Sequence, residues 1–194
     1  MIIWFCFGCA LWTLIEYGMH HWNGHLMRGK THFSREHLRH HAVRHYFSPL
    51  WHKILVAAFV VTVIGGITTP LVGTYAGLSL AGGIGSGYLF YEYLHWRCHA
   101  RAPRTAYGRW VRLHHFGHHF TDARFNHGVT TPIWDLVFRT YRPIARVKVP
   151  TKLAMPWLLD AEGELKKAYA SNYTLLGRRQ VGRVVVSDCA RPRP

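Results

Sequence analysis

Two long stretches of this chain carry no lysine or arginine, although the chain as a whole is strongly basic. Lysine and arginine number 24 against nine acidic residues, yet none lies in residues 1–27 or 54–96. Ile2 to Met19 is almost wholly apolar, and residues 54–96 contain Glu92 as their single Asp, Glu, Lys or Arg. A helix needs about 20 apolar residues to cross a bilayer core, which excludes charge. The sequence therefore predicts an all-α, integral membrane helical protein.

The second stretch has the length of two crossings. It is 43 residues long, with Pro70 and Gly73 near its middle, so we interpret it as a helical hairpin. Together with the first span it gives three crossings, and a fourth would belong to a longer form of the chain with one more helix upstream. The first span lacks the basic start and small-residue cleavage site of a signal peptide.

The basic residues set the orientation. Six lie in residues 28–53 and 18 in residues 97–194, on one side of the membrane, which the positive-inside rule makes the cytoplasmic side. The C-terminus is then cytoplasmic and Met1 external. Because these residues flank apolar spans, the net charge of +15 indicates contact with anionic lipid headgroups and not binding of nucleic acid.

Four histidine clusters supply the chemistry, and they hold ten of the chain's 16 histidines. Within three clusters the spacing of three or four residues places imidazoles on one face of a helix. Neutral imidazole is the commonest metal-ligating side chain, and one ion accepts about four to six donors, so two metal ions are implied. The clustered residues are His20 and His25; His37, His40 and His41; His95 and His99; and His115, His118 and His119.

The remaining histidines are given lesser roles. His21 and His114 adjoin cluster members, and His114, four residues before His118, could replace His115 as a ligand. The other four are expected to be ordinary polar or interfacial side chains: His32, His45, His52 and His127.

Two acidic residues occur about one helical turn before a cluster, Glu16 before His20 and Glu92 before His95. Ionisable groups at such positions are costly and usually functional. A carboxylate there can accept the second N–H of a ligating imidazole, and we favour this role for both. The alternatives are that either is a bridging metal ligand or faces water at the interface.

Imidazole donors suit iron, zinc, copper and nickel about equally. Two metals at a membrane surface, reached from an apolar interior, favour O₂ activation against a lipid C–H bond, which needs redox-active iron and not zinc. A membrane metal transporter or storage protein is the main non-enzymatic alternative, but the apolar cores at residues 2–15 and 54–90 contain no histidine. A scaffold with structural zinc is the other.

The four clusters in this order, with the segments Leu11–Tyr17 and Phe125–Phe138, resemble the fatty acid hydroxylase/sterol desaturase superfamily, most closely its fatty acid 2-hydroxylase branch. The resemblance covers about residues 10–142. It implies that the ten clustered histidines ligate two iron ions, with zinc a substitute in purified protein. It further implies O₂ as co-substrate and a membrane lipid, such as a fatty acyl chain, as the molecule hydroxylated or desaturated; a sterol or carotenoid is the alternative.

The same resemblance implies two electrons from a reductase through a cytochrome b5 or ferredoxin-like carrier. This sequence has no His-Pro-Gly-Gly haem-binding motif, so the carrier is expected to be a separate protein.

Beyond the membrane spans we expect a cytosolic helical cap carrying the histidines. Residues 1–143 are interpreted as the membrane domain with its clusters, and residues 144–194 as a basic, partly disordered extension. Within that extension the pattern predicts a short amphipathic helix over Asp160–Tyr169 and a poorly ordered tail over Arg178–Pro194.

Overall fold

The computed structural model describes residues 1–177, which are mostly helical. The predicted tail over Arg178–Pro194 lies outside the described residues. Six α-helices and one π-helical segment, Met19–Leu26, which continues α1, make up the helical part. The α-helices are α1 (Ile2–Gly18), α2 (His32–Ala42), α3 (Leu50–Val72), α4 (Thr74–Ala100), α5 (Ala106–Phe120) and α6 (Ile133–Val137).

The three long helices form a bundle with α4 packed against both α1 and α3. Within residues 1–177, two segments are long and apolar enough to cross a membrane, Ile2–Leu26 and Leu50–Val72. The hairpin predicted for residues 54–96 is present as α3 and α4, which turn at Gly73, where φ is 88°. Many apolar side chains of α3 remain exposed, as expected of a helix that faces lipid.

Glycines let α1 and α4 approach closely. A Cβ atom at Gly8 would lie 2.2 Å from the Leu80 carbonyl oxygen, and one at Gly83 would lie 2.2 Å from the Phe5 carbonyl oxygen. No side chain fits at either position, since real Cβ contacts are not this short. Small residues at crossing points are typical of membrane helix pairs.

The cap differs from an all-α arrangement, which corrects part of the predicted fold class. Strands β1 (Val147–Pro150) and β2 (Tyr173–Leu176) form a parallel pair in which Val147 is opposite Tyr173. The intervening chain includes short 3₁₀ turns at Thr151–Leu153, Pro156–Leu158 and Lys167–Tyr169.

The extension shares a core with the cap, so the boundary predicted after Pro143 does not separate two cores. Val147 and Val149 of β1 are buried in one hydrophobic cluster with Phe116 of α5. Trp157 joins that cluster, and its indole Nε1 donates to the Cys98 carbonyl of α4 at 3.0 Å. The described part of the extension, up to residue 177, therefore contributes to holding α4 and α5 together.

The helix predicted over Asp160–Tyr169 is wrong. Gly163 has a φ of 76°, a conformation that ends a helix and favours glycine. The chain reverses there, and Leu165 forms an antiparallel bridge with Leu159. Only the last residues, Lys167–Tyr169, make a short 3₁₀ turn.

Candidate metal centre

The first cluster lies on the π-helical segment, which explains its unusual spacing. His20 and His25 are five residues apart, one more than an α-helical turn would align. Hydrogen bonds in a π-helix run between residues five apart, so this segment brings both imidazoles to the same side. Ser34 of α2 fixes the segment from outside by donating its hydroxyl hydrogen bond to the Gly24 carbonyl at 2.7 Å.

Helices α2 and α5 carry the two clusters of the form His-x2-His-His, and both begin at a threonine cap. Thr31 accepts a hydrogen bond from the Ser34 amide, and Thr105 accepts one from the Gly108 amide. Such caps satisfy backbone donors that the first helical turn leaves unpaired. They fix where each helix starts and hence which way its histidines face.

The ten predicted histidines are brought together, but they are divided by helix face and not by cluster. In α2 and α5 the outer pair, four residues apart, joins one group, while the histidine between them joins the other. Within each group of five, the candidate ligand atoms all lie within 4.8 Å of one another. Group one is His20, His25, His37, His41 and His118, and group two is His40, His95, His99, His115 and His119.

Neighbouring ring nitrogens in both groups have the spacing expected around a metal ion. The Nε2 atoms of His25 and His118 are 2.9 Å apart, as are those of His95 and His40. Two nitrogens at right angles, each about 2.0–2.1 Å from an ion, would be roughly 2.9 Å apart. Each group thus fits one transition metal ion.

The hydrogen bonds of the other ring nitrogens support the same fit. His40 Nδ1 lies 2.8 Å from the Tyr46 carbonyl oxygen, and His118 Nδ1 lies 2.7 Å from that of Phe125. A carbonyl only accepts, so in the neutral rings Nδ1 carries the proton and Nε2 presents a lone pair. His20 Nε2 and His119 Nε2, one in each group, are buried without a hydrogen-bond partner among the described residues. A cation in each group would give these nitrogens a partner.

Burial keeps the imidazoles in the form that binds metal. It lowers the pKa of His40 to about 4, and with the neighbouring imidazoles it lowers the pKa of His37 and of His118 well below the usual value. These side chains are therefore neutral near pH 7, and neutral imidazole is the ligating species.

Glu16 does not contact an imidazole as predicted; it holds a loop. Its Oε1 accepts hydrogen bonds from the Val129 amide at 2.6 Å and the Thr130 amide at 2.9 Å, and its Oε2 accepts one from the Thr130 hydroxyl at 2.6 Å. The same loop presents the His127 carbonyl to Nδ1 of His20. The Glu16 carboxylate faces the backbone of residues 129–130 and holds this loop. Its effect on His20 of group one is therefore indirect, through the position of the His127 carbonyl.

Glu92 also differs from the prediction. Its Oε2 forms an ion pair with Nζ of Lys53 in α3, and no hydrogen bond joins it to a clustered imidazole in the described structure. The antiparallel packing of α3 on α4 places Lys53 beside Glu92, and an ammonium group is a stronger partner than a neutral imidazole.

His114 does not substitute for His115. Its Nε2 lies 3.1 Å from Oδ2 of Asp135, while His115 belongs to group two. Asp135 also accepts hydrogen bonds from the amides of His127 and Gly128, both at 2.8 Å. This buried carboxylate orders the loop, a role that the sequence analysis did not assign to it.

His127 lies outside both groups, as expected of a non-ligating histidine, but it also contributes its backbone to group one. It is fully buried, its carbonyl meets His20, and its ring Nε2 lies 2.9 Å from Nδ1 of His21. This pairing places His21 outside both groups of five. The remaining histidines expected to be non-ligating, His32, His45 and His52, also lie outside both groups.

A cavity of about 550 Å³ lies between α1, α2, α3 and α4 and reaches both groups of histidines. Two ring pairs line it, His20 and His37 from group one and His40 and His95 from group two. Its volume is typical of a small-molecule site. Apolar and aromatic side chains of the long helices α1, α3 and α4 form much of the remaining lining: Trp12, Ile15, Val56, Val60, Tyr88 and Tyr91.

Comparison with known proteins identifies relatives of this arrangement. The sequence model of the family described as fatty acid hydroxylase matches residues 5–140. The chain is 32% identical over 161 residues to the ceramide very long chain fatty acid hydroxylase SCS7 of Saccharomyces cerevisiae, covering 74% of this chain and 40% of that protein. It is 30% identical over 152 residues to fatty acid 2-hydroxylase of Rattus norvegicus, covering 72% and 39%.

A solved structure is also similar. It is described as full-length scs7p with only the hydroxylase domain visible, and it matches with a TM-score of 0.57 and 28% identity. The match covers 73% of this chain and 56% of that one. The chain spans about two-fifths of the length of the two curated relatives above. The family resemblance inferred from the histidine clusters is thereby confirmed.

Proposed function

Because this chain belongs to the fatty acid hydroxylase family, we propose that it hydroxylates the acyl chain of a membrane lipid at a centre of two metal ions. The observation that carries the proposal is the cavity that joins an apolar wall of membrane helices to both groups of histidines. A lipid chain in this cavity would lie against the ligating rings without leaving the bilayer.

Group one would hold one ion and group two the other, with five imidazoles each. Iron is the metal proposed, since a zinc ion has no redox chemistry. Two iron ions would supply O₂ activation, so that one oxygen atom enters a C–H bond and the other leaves as water after uptake of two electrons and two protons. The electrons would come from a separate carrier protein of the cytochrome b5 or ferredoxin type.

The protein's own residues position and shield the reacting chain. Carbonyls of Tyr46 and Phe125 hold His40 and His118 in one tautomer, so their Nε2 lone pairs point inward. Trp12 and Val60 in the apolar part of the lining would bury the acyl chain and keep water from it. The close contact at Gly8 and Gly83 fixes how α1 packs on α4, the two helices that supply Trp12 and Tyr88 to the cavity lining.

We further propose that α4 crosses the membrane with α1 and α3, giving three spans with the histidines and C-terminus on the cytoplasmic side. The many glycines of α4 lower its mean hydropathy. However, α4 packs between α1 and α3, so much of its surface would contact these helices and not lipid. A helix in such a position needs less apolar surface to cross the membrane.

Metal transport is less well supported. All ten clustered histidines converge in two compact groups at one end of the bundle, whereas a transport path would distribute donors along the spans. No observation favours a sterol or a carotenoid over an acyl chain.

The test is expression in a host that lacks the activity, under ¹⁸O₂, followed by lipid mass spectrometry and metal analysis of the purified protein. We expect hydroxylated acyl chains carrying one ¹⁸O atom; a mass loss of two hydrogens without ¹⁸O would indicate desaturation instead. His118→Ala is the inactive control. Unchanged lipids in cells whose purified protein holds two iron ions and an intact fold, with a suitable electron carrier co-expressed, would contradict the proposal.

A further inference from the structure

The cavity beside the histidines has a polar end that the proposed chemistry leaves unexplained. Lys53, near the start of α3, lines it together with Glu92 of α4, and the two side chains form an ion pair. They are only 16% and 21% exposed. A partly buried ion pair contributes little net stability against its desolvation cost, so packing alone does not account for it.

Lys53 is the one lysine or arginine among the described residues that line the cavity. The other two carboxylates in the lining already have partners. Glu16 accepts hydrogen bonds from the loop at Val129 and Thr130, and Glu36 accepts them from the hydroxyls of Tyr46 and Ser48. The Lys53 ammonium group is therefore the lining's strongest hydrogen-bond donor toward a ligand.

The ammonium group lies close to the second histidine group. Its Nζ is 5.2 Å from the centre of the Phe47 ring, and that ring is 4.9 Å from the ring of His40 and 5.4 Å from that of His95. A single aromatic ring thus separates the cation from group two. A lipid atom bound to Lys53 would hold the next few atoms of the molecule near the ligating rings.

The ion pair does not have to open for Lys53 to bind a ligand. With three donors on its ammonium group, Lys53 can keep Glu92 and still donate to a ligand.

We propose that Lys53 is a positioning residue that donates a hydrogen bond to the acyl carbonyl oxygen of the lipid and so directs oxidation to the adjacent carbon, C2. The directing role at C2 rests on the proposed function, whereas the binding of the carbonyl oxygen by Lys53 does not. The acyl tail would extend from Lys53 along Val56 and Val60, which follow it on α3 and line the same cavity. The carbonyl oxygen belongs either to a carboxylate or to an amide, and both accept from an ammonium group.

The experiment combines a binding measurement with product analysis. Palmitic acid and N-palmitoyl sphinganine, each with a diazirine at the chain terminus, are photo-crosslinked to metal-loaded protein in lipid nanodiscs. Peptide mass spectrometry then gives the labelled fraction at cavity residues against probe concentration. Lys53→Met is compared with Lys53→Arg and with Lys152→Met, which makes the same change at an exposed lysine of the cap.

We expect Lys53→Met to raise the half-labelling concentration about tenfold or more for at least one probe, the effect of losing a charge-assisted hydrogen bond. Lys53→Arg should restore most of the loss, and Lys152→Met should behave as the parent protein. Loss for palmitic acid alone assigns a carboxylate, and loss for both probes assigns the acyl carbonyl in either form. Unchanged labelling with both probes would overturn the proposal.

The products give a second readout in the expressing host. Lys53→Met should form hydroxy lipids more slowly and at positions beyond C2, while products hydroxylated only at C2 at the parent rate would refute the directing role. Lys53→Met alone leaves the Glu92 carboxylate without its cation, so the double variant Lys53→Met, Glu92→Gln is measured as well. Two metal ions per chain in the purified double variant would show that it folds. If the parent protein makes no hydroxy lipid but labelling still depends on Lys53, the proposed function fails and the binding site for the acyl carbonyl stands.

Discussion

Glu16 gives the sharpest test of how the metal centre is built. Replacing it by alanine removes the acceptor of three hydrogen bonds and leaves the amides of Val129 and Thr130 facing an apolar methyl group. An unsatisfied buried donor costs about 1–3 kcal/mol, so the two amides predict a loss of about 2–6 kcal/mol. For a chain of this size, that lowers the unfolding midpoint by at least about 4 °C.

The loss should also reach the metal. The loop released by Glu16→Ala carries the His127 carbonyl that orients His20. Removing such support typically lowers metal affinity by roughly 10–100-fold, and the ion of group one should be the one affected. Metal content by mass spectrometry, chelator competition and thermal unfolding in detergent are measured on the same preparation.

Glu92→Ala is the matched control, since it makes the same change in the other acid that precedes a histidine. Its ion pair with Lys53 is partly buried, so we expect a loss of about 1–3 kcal/mol from the unpaired ammonium group and unchanged metal content. A Glu16→Ala protein with the parent's unfolding midpoint and parent-like chelator resistance at both ions would refute the reasoning. Equal metal loss in the two variants would also refute it.

Three further predictions follow from the fold. His118→Ala should lower the metal content of the purified protein from two ions to one, because group one loses a buried ligand, whereas His52→Ala should keep both; metal analysis that shows two ions in each would contradict the assignment. A reporter fused after Pro194 should be active in the cytoplasm, and activity only outside the cytoplasmic membrane would reverse the proposed orientation. Gly83→Ala should destabilise the protein by about 1–3 kcal/mol or more, because the new methyl group would meet the Phe5 carbonyl. Gly66→Ala should not destabilise it, because Gly66 has open space around it. Equal unfolding midpoints of the two variants would contradict the α1–α4 contact.

The sequence was most informative about the histidines, and for a physical reason. Spacing on a helix determines direction, so repeated clusters on several elements predicted convergence. The division into two groups was not predicted, because adjacent residues such as His40 and His41 point about 100° apart around a helix and belong to different groups. The direction of each side chain could have suggested the two groups only if the arrangement of the helices around them had been known.

The C-terminal part was less predictable because its structure depends on contacts far apart in the chain. Val147 and Val149 alternate with less buried residues over only four positions, too short a pattern to identify a strand. Their parallel partner begins at Tyr173, after several irregular turns. The buried position of Trp157 depends likewise on Cys98, 59 residues earlier.

Glu16 and Glu92 show what a local motif cannot specify. Each carboxylate occurs about one turn before a histidine, toward the C-terminal end of a long helix, so the sequence predicts the same role for both. What differs is the neighbour: a loop of backbone amides lies over Glu16, and the lysine of an antiparallel helix lies beside Glu92. The Glu16 carboxylate accepts hydrogen bonds from backbone amides and so holds a loop in place. The Glu92 carboxylate pairs with the Lys53 ammonium group, which keeps further N–H groups free to donate to a ligand. The same local motif therefore supports the candidate metal ligands at one helix and, in our proposal, the acyl carbonyl of the lipid at the other.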